Sequence, residues 1–414
     1  MKLFSLDNVF ATIFVIVVIT YFSVIFNANV FDPIQSTFED LELTDIVFSK
    51  FYDNTNVSLD TNIVIINNGN TTRKALANQL EIINRYQPKV VGIDAFFKQK
   101  SSRPDFDSAL AYQFSQTNNL VLVVGLRQPN AKDESFFDTI IKSNPIFTKY
   151  SQDGFANVIT DRKNFRTVRH TTPQQYVRDT IKYSFPVKIA SLFNKDAVSK
   201  LLGRHNEREL INYRRNTNKY RTLDVIEVFE KQDSLQFLKD KIVLIGYMGP
   251  NMKTKVTEDI FFSPLNPNYV GKTHPDMYGV VIHANVISMI LEGKYINMTP
   301  DWLEKVLSVL IIFFNMVIFT YLRNNYEQNS QAISVVLLIA EVATIVIISL
   351  YSIYTFKLEL NIMGAIVGLL FSISAYEAYN DSLKPLLMTA YRFILKLFKI
   401  KQTSTDQTST EGAE

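Results

Sequence analysis

The sequence contains no cysteine. That absence excludes disulfides, iron–sulfur clusters, thiolate zinc sites and a cysteine nucleophile. Histidine is scarce: His170, His205, His274 and His283 are the four present, and none stands at a paired spacing such as His-x-x-x-His, so no metal site is expected. An excess of one charge is also missing. The net charge is +3 with acids and bases interspersed, which argues against a nucleic-acid partner. No Gly-x-Ser-x-Gly elbow occurs. "VGKT" (Val270–Thr273) resembles the end of a phosphate-binding loop, yet Asn266 stands where the first glycine belongs. "VVGIDAFF" (Val90–Phe97) resembles an aspartyl-phosphatase strand, but Phe96 replaces the second carboxylate. No catalytic residue and no cofactor is therefore expected, and the chain is not read as an enzyme.

Long apolar runs are what the sequence does have. Val9–Phe26 is uncharged and long enough to cross a hydrocarbon core of about 30 Å. It exceeds the h-region of a signal peptide, about 7–15 residues, and Asn27-Ala28-Asn29 offers no small-x-small cleavage site, so residues 1–30 are read as an uncleaved anchor. Val306–Leu322, Ala332–Tyr354 and Leu360–Tyr376 are three further runs, which places three spans within residues 301–380. Lys384, Arg392, Lys396, Lys399 and Lys401 follow the last run, whereas the loop before it carries only Lys357. By the positive-inside bias both termini are cytoplasmic and residues 31–300 lie outside, in a bacterial periplasm. The expected place is the inner membrane, multi-pass, with membrane lipid as one partner.

Within residues 31–300 the pattern changes to short β-branched segments. Asn62–Ile66, Val90–Asp94, Leu120–Leu126 and Lys241–Gly246 are apolar on both faces, as strands buried under helices should be. Between the first two, Thr72–Tyr86 places Leu76, Leu80 and Ile83 on one helical face, and Pro88 ends it. Helices are also expected over Asp105–Gln116, over Ser184–Asn194 and after Gly279, with a short strand at Phe155–Thr160. The fold class is thus an α/β periplasmic domain with a mostly parallel central sheet, plus four transmembrane α-helices, one N-terminal and three C-terminal. Residues 146–218 are less periodic and form an insertion or an added layer.

Open α/β sheets bind ligands beyond the carboxyl ends of their strands. Asp94 ends one strand, Tyr247 follows the end of another, and Asp259 and His283 come in the loop and helix after it. These four are the candidate ligand-binding residues. The alternative is structural: Asp94 caps a helix or accepts loop N–H groups, and His283 is a packed, neutral imidazole near a helix start. Val281, Ile282 and Ile287 surround it with apolar side chains that disfavour protonation.

Six segments together are specific: "PKVVGIDAFF" (Pro88–Phe97), "GFANVITDRKNFRTVRH" (Gly154–His170), "SFPVKIASLF" (Ser184–Phe193), "LKDKIVLIGYMG" (Leu238–Gly249), "TEDIFFSPLN" (Thr257–Asn266) and "YGVVIHANVISMIL" (Tyr278–Leu291). In this order the chain resembles the extracellular CHASE domain of the second type, carried outside the membrane by bacterial cyclases, diguanylate cyclases and kinases. One span before the domain and three after it also resemble that family's layout. The resemblance implies a sensory role in signal transduction. Two departures stand out. The family ends its first core strand with an aspartate, whereas Asn67 or Asn68 stands there. Family members commonly continue into a catalytic output domain, and here about 35 residues follow the last run, too few for one. The chain is therefore expected to act through a separate membrane or periplasmic protein, or a second copy of itself, or else to be a structural subunit of an envelope complex.

The apolar runs hold their own polar residues. Asn315 and Glu341 sit at comparable depth in spans two and three, and such groups in a membrane face other protein. Gly364, Gly368 and Ser372 form a small-xxx-small ridge on span four. These five are candidates for membrane packing or partner docking. Leu383–Ile400, within residues 381–401, reads as a basic amphipathic helix on the inner leaflet, and residues 402–414 as a disordered tail.

Overall fold

The N-terminal apolar run folds as helix α1 (Leu6–Phe26). This computed structural model describes residues 6–26, 42–51, 57–127, 137–157, 167–254, 256–267, 274–326, 328–360 and 363–394. Two units divide the chain, one of Met1–Ser36, Met298–Ser352 and Leu358–Glu414, the other of Thr37–Asn297 and Ile353–Lys357.

The second unit alternates strand and helix: β1 (Ile63–Asn67), α2 (Arg73–Arg85), β2 (Val90–Asp94), α3 (Pro104–Gln116), β3 (Leu120–Arg127), β4 (Thr139–Ile141), β5 (Gln152–Phe155), α4 (Phe185–Phe193), β6 (Arg221–Leu223), β7 (Ile242–Gly246) and α5 (Gly279–Glu292). Strands run in the order β6-β1-β7-β2-β3, all parallel, and β3 also pairs with β5 in parallel and with β4 antiparallel. The strand expected at Phe155–Thr160 begins and ends earlier, at Gln152–Phe155, because its ladder partner is β3 at Val121–Val124; residues 158–160 lie outside the described ones.

The two-faced apolar pattern has a direct outcome in the packing. Val64, Ile66, Val91, Ile93, Val243 and Ile245 face α2 and α3 and meet Leu76, Leu80, Ile83, Leu110 and Phe114. Ile63, Ile65, Val90, Ile242 and Leu244 face the other way, onto Phe185 and Ile189 of α4 and Val280, Val281 and Ile287 of α5. Each fully buried leucine or isoleucine contributes about 2 kcal/mol. Thr72 starts α2 by accepting from the Ala75 N–H. Much of the aperiodic stretch is an added layer, in which Leu210, Ile211 and Tyr213 cover the α4–α5 side of the sheet.

Two buried charge networks brace this unit. Arg169, 1 % exposed, holds Asp45 of the short helix Leu43–Ile46 through Nε–Oδ1 and Nη2–Oδ2 contacts of 3.1 and 2.8 Å. Arg215 contacts Asp60 at 3.5 Å and Glu292 at 2.6 Å, and Ser288 donates to Asp60 at 2.7 Å, which fastens the C-terminal half of α5 to the entry of β1.

The first unit holds α1 together with α6 (Asp301–Asn325), α7 (Ser330–Tyr351) and α8 (Met363–Ala378). Ala11, Val15, Ile312, Met316, Leu338 and Leu369 form its common core. Among the described residues two helices are long and apolar enough to cross a membrane, Asp301–Asn325 and Ser330–Phe356. The part of α1 whose side chains are described, Leu6–Tyr21, is apolar and shorter than these two, as is α8 with 16 residues. Residues 384–394 are helical and largely exposed; Leu395 and Phe398 of the expected amphipathic face lie outside the described residues, as does the 402–414 tail.

Candidate functional site

The register of the three central strands sets Asn67, Gly246 and Asp94 side by side at the carboxyl edge of the sheet. Helix α5 starts directly against this row. A Cβ on Gly246 would lie 2.7 Å from Val280 Cβ, so only glycine lets the helix approach the strand end this closely. The next turn of α5 then brings His283 over Asp94, with Nε2 3.7 Å from Asp94 Oδ2, beyond hydrogen-bond reach.

A short ladder sets the third residue. Ile260–Phe261 pairs antiparallel with Met277–Tyr278, and the Gly279 N–H donates to the Asp259 carbonyl at 3.1 Å. Asp259 is held at φ +52°, a left-handed conformation that aspartate tolerates better than most residues. Its carboxylate oxygens stand 3.3 Å from where a Gly279 Cβ would be, on the first residue of α5. The helix dipole favours a negative charge there.

Burial dominates the titration of this cluster. It pushes the Asp94 carboxyl up to about 6. Asp259 is pushed up to about 7, by partial burial first and then by the charges of Asp94 and Glu258. Burial pushes His283 down to about 4, so the imidazole is neutral at neutral pH. The Tyr247 phenol is raised by partial burial and then by Glu258, and Tyr278 by burial and then by Tyr247. Asp94, Asp259, His283 and Tyr247 therefore share one electrostatic neighbourhood with Glu258 and Tyr278. The last two were missed from the sequence, although each stands directly beside a quoted feature: Glu258 before Asp259, Tyr278 before Gly279.

Neither carboxylate receives a hydrogen bond from a described residue. Asn67, by contrast, is fully engaged and stands apart from the acids. Its amide donates to Asp224 and to the Gly249 carbonyl, and its oxygen accepts from the Gly69 and Met248 N–H groups. On the far side of His283, Phe185 meets the ring edge-on at 5.2 Å. There Asn157, His170, Ser184 and His283 line a cavity of about 20 Å³, room for one water. Among the described residues no group of three or more His, Asp or Glu converges on a metal position.

The family profile of the CHASE2 domain matches residues 11–322. The chain belongs to the CHASE2 domain family. CHASE2 is a sensory domain family, and the match takes in the whole sheet, the acid cluster and most of α6. Comparison with curated proteins and with solved structures found no match.

Around this CHASE2 domain the remaining candidates are in the helical unit. Asn315 of α6 donates through Nδ2 to Glu341 Oε2 of α7. Gly368 lies beneath Ile312, whose Cδ1 would be 2.5 Å from a Cβ there, so this part of the small-residue ridge is filled by α6 of the same chain. Ser372 is buried and donates to the Leu369 carbonyl, while Gly364 is exposed beside Ser308. Thr320 adds a tie missed in the sequence, donating to Asn8 Oδ1 of α1 at 2.8 Å and accepting from the Tyr376 hydroxyl at 3.1 Å.

Proposed function

We propose that the chain is a multi-pass inner-membrane protein whose periplasmic CHASE2 domain senses a ligand at Asp94, Asp259, His283 and Tyr247 and acts through a separate protein, without catalysis of its own. The observation that carries this reading is Asp94 at the carboxyl end of β2, with Asp259 close enough to be raised by its charge and neither carboxylate receiving a hydrogen bond from a described residue, in the region where open α/β sheets take ligands. Four spans are supported by the common core of α1, α6, α7 and α8 and by the outward apolar side chains Phe10, Val17, Val336, Ile339 and Ile347. The corresponding division is an anchor over 1–30, the CHASE2 domain over 31–300, three spans over 301–380 and a basic amphipathic segment over 381–401.

A constitutive role in an envelope complex is the second reading. Tyr176 and Ile181, exposed on the hairpin of residues 174–183, favour it as a protein-contact surface. Purification from native membranes in mild detergent, followed by identification of co-purifying chains, tests both. The sensory reading expects a partner that stays bound when Asp94 and Asp259 are both changed to Asn but no longer responds to ligand. A chain recovered alone in every preparation rules out both readings.

A further inference from the structure

We infer that the acid cluster takes the primary ammonium group of a small organic cation, seated between Asp94 Oδ2 and His283 Nε2 with Asp259 beside it. The inference rests on reading this cluster as the ligand site, and it names the chemistry that the site selects.

What the site presents, among the described residues, is acceptors without matching donors. Asp94 and Asp259 receive no hydrogen bond from a described residue. His283 is 6 % exposed, makes no hydrogen bond to a described residue, and turns Nε2 toward Asp94 Oδ2 at 3.7 Å. With its proton on Nδ1 the neutral imidazole presents Nε2 as an acceptor; two acceptors at that spacing cannot satisfy each other, yet a single nitrogen can stand about 2.9 Å from both. An –NH₃⁺ group carries three donors and no acceptor, which is the complement of this arrangement. Acceptance by His283 requires a neutral imidazole, and its burial keeps it so above about pH 4.

Charge points the same way. The groups that act on Asp259 are Asp94 and Glu258, both of its own sign. A bound cation would relieve that repulsion and compensate the burial of Asp94, whose side chain is 15 % exposed at the base of the cluster, while Asp259 stands at the exposed rim. A metal ion fits less well, since no three ligating side chains converge among the described residues. Tyr247 lies in the field of Glu258 and Tyr278 in that of Tyr247, so aromatic rings stand near the acidic rim and suit the charge and methylenes of an alkylammonium.

The test is calorimetric titration of the full chain in detergent with ethanolamine, putrescine and spermidine, alongside tetramethylammonium, Mg²⁺ and Zn²⁺. At least one primary amine should bind saturably, and tetramethylammonium, which has no N–H, at least about 10-fold more weakly. Asp94→Asn, an isosteric change, should weaken the amine about 10-fold or more with unchanged circular dichroism. His283→Gln, which keeps an acceptor, should weaken it less than His283→Leu. No saturable amine binding, equal binding of tetramethylammonium, preference for a divalent ion, or full affinity in Asp94→Asn would each overturn the inference. Co-purification of a partner in the absence of amine binding would leave the sensory reading intact, so the two can fail separately.

Discussion

Asn67 and Asp224 lie 157 residues apart, and Asn67 Nδ2 donates to Asp224 Oδ1 at 3.0 Å. The same amide reaches the Gly249 carbonyl at 3.1 Å, so the end of β1 is tied to the loop after β7. Asp224 in turn caps the helix Val225–Glu230 in a capping box with Glu227. An aspartate at position 67 would lose both donors and set two carboxylates against each other. Asn67→Asp should cost about 2–4 kcal/mol, read by chemical denaturation followed by circular dichroism. An unchanged midpoint would show that this bond does not hold the strand end.

Asp94 makes stability depend on pH. Its carboxyl titrates at about 6 in the folded chain against 3.8 when unfolded, so the folded form holds the proton more tightly. The contribution is fully present below about pH 4 and is lost as pH rises through 6. His283 works in the opposite sense: lowered from 6.5 to about 4, it contributes stability above pH 6.5 that is lost as pH falls through 4. Asp94→Asn should match the wild type near pH 4 and exceed it by ~2 kcal/mol at pH 8. Melting curves across this range check it, and a variant less stable at pH 8 would contradict the assignment.

Gly246 sets the approach of α5. Gly246→Ala places a methyl 2.7 Å from Val280 Cβ, so strand or helix has to move. A loss of about 1–3 kcal/mol is expected, with faster amide hydrogen exchange in the first two turns of α5. Exchange unchanged in those turns would mean that the contact is slack.

Asp45 and Arg169 allow a two-step comparison. Asp45→Ala leaves a guanidinium in the core without its bidentate partner and should cost about 3–5 kcal/mol. Replacing both, Asp45→Leu with Arg169→Met, should recover most of that loss, because an apolar pair of similar size needs no compensation. A double variant as unstable as the single one would show that the segment is held by other contacts.

How far the sequence revealed this arrangement depends on the kind of signal each part leaves. Val90–Asp94 and Ile242–Gly246 were legible because β-branched residues on both faces leave few alternatives to a covered strand. Strand order was not. The insertion of β7 between β1 and β2 aligns Asn67, Gly246 and Asp94, and segments apolar on both faces carry no mark of their neighbours. The three-residue strand Arg221–Leu223 is too short for a period to show. Asp94, Asp259 and His283 could be singled out because they stand at strand and helix ends, but their mutual distances come from the register and from Gly246. Asp45 and Arg169 left no pattern, since a buried ion pair is two isolated residues until the fold joins them.

Helix α5 has 14 residues and is therefore about 20 Å long, with Val280 lodged against Gly246 near one end. A rigid rotation of α5 about that lodging point would work as a lever. His283 lies three residues beyond it and Glu292 twelve, so a rotation that shifts His283 by about 0.5 Å displaces Glu292 by about 2 Å. Glu292 is gripped by Arg214 and Arg215 at 3.1 and 2.6 Å, distances that a movement of that size would break. In such a rotation an adjustment smaller than a bond length at the acid cluster would make or break an ion pair at the far end of α5.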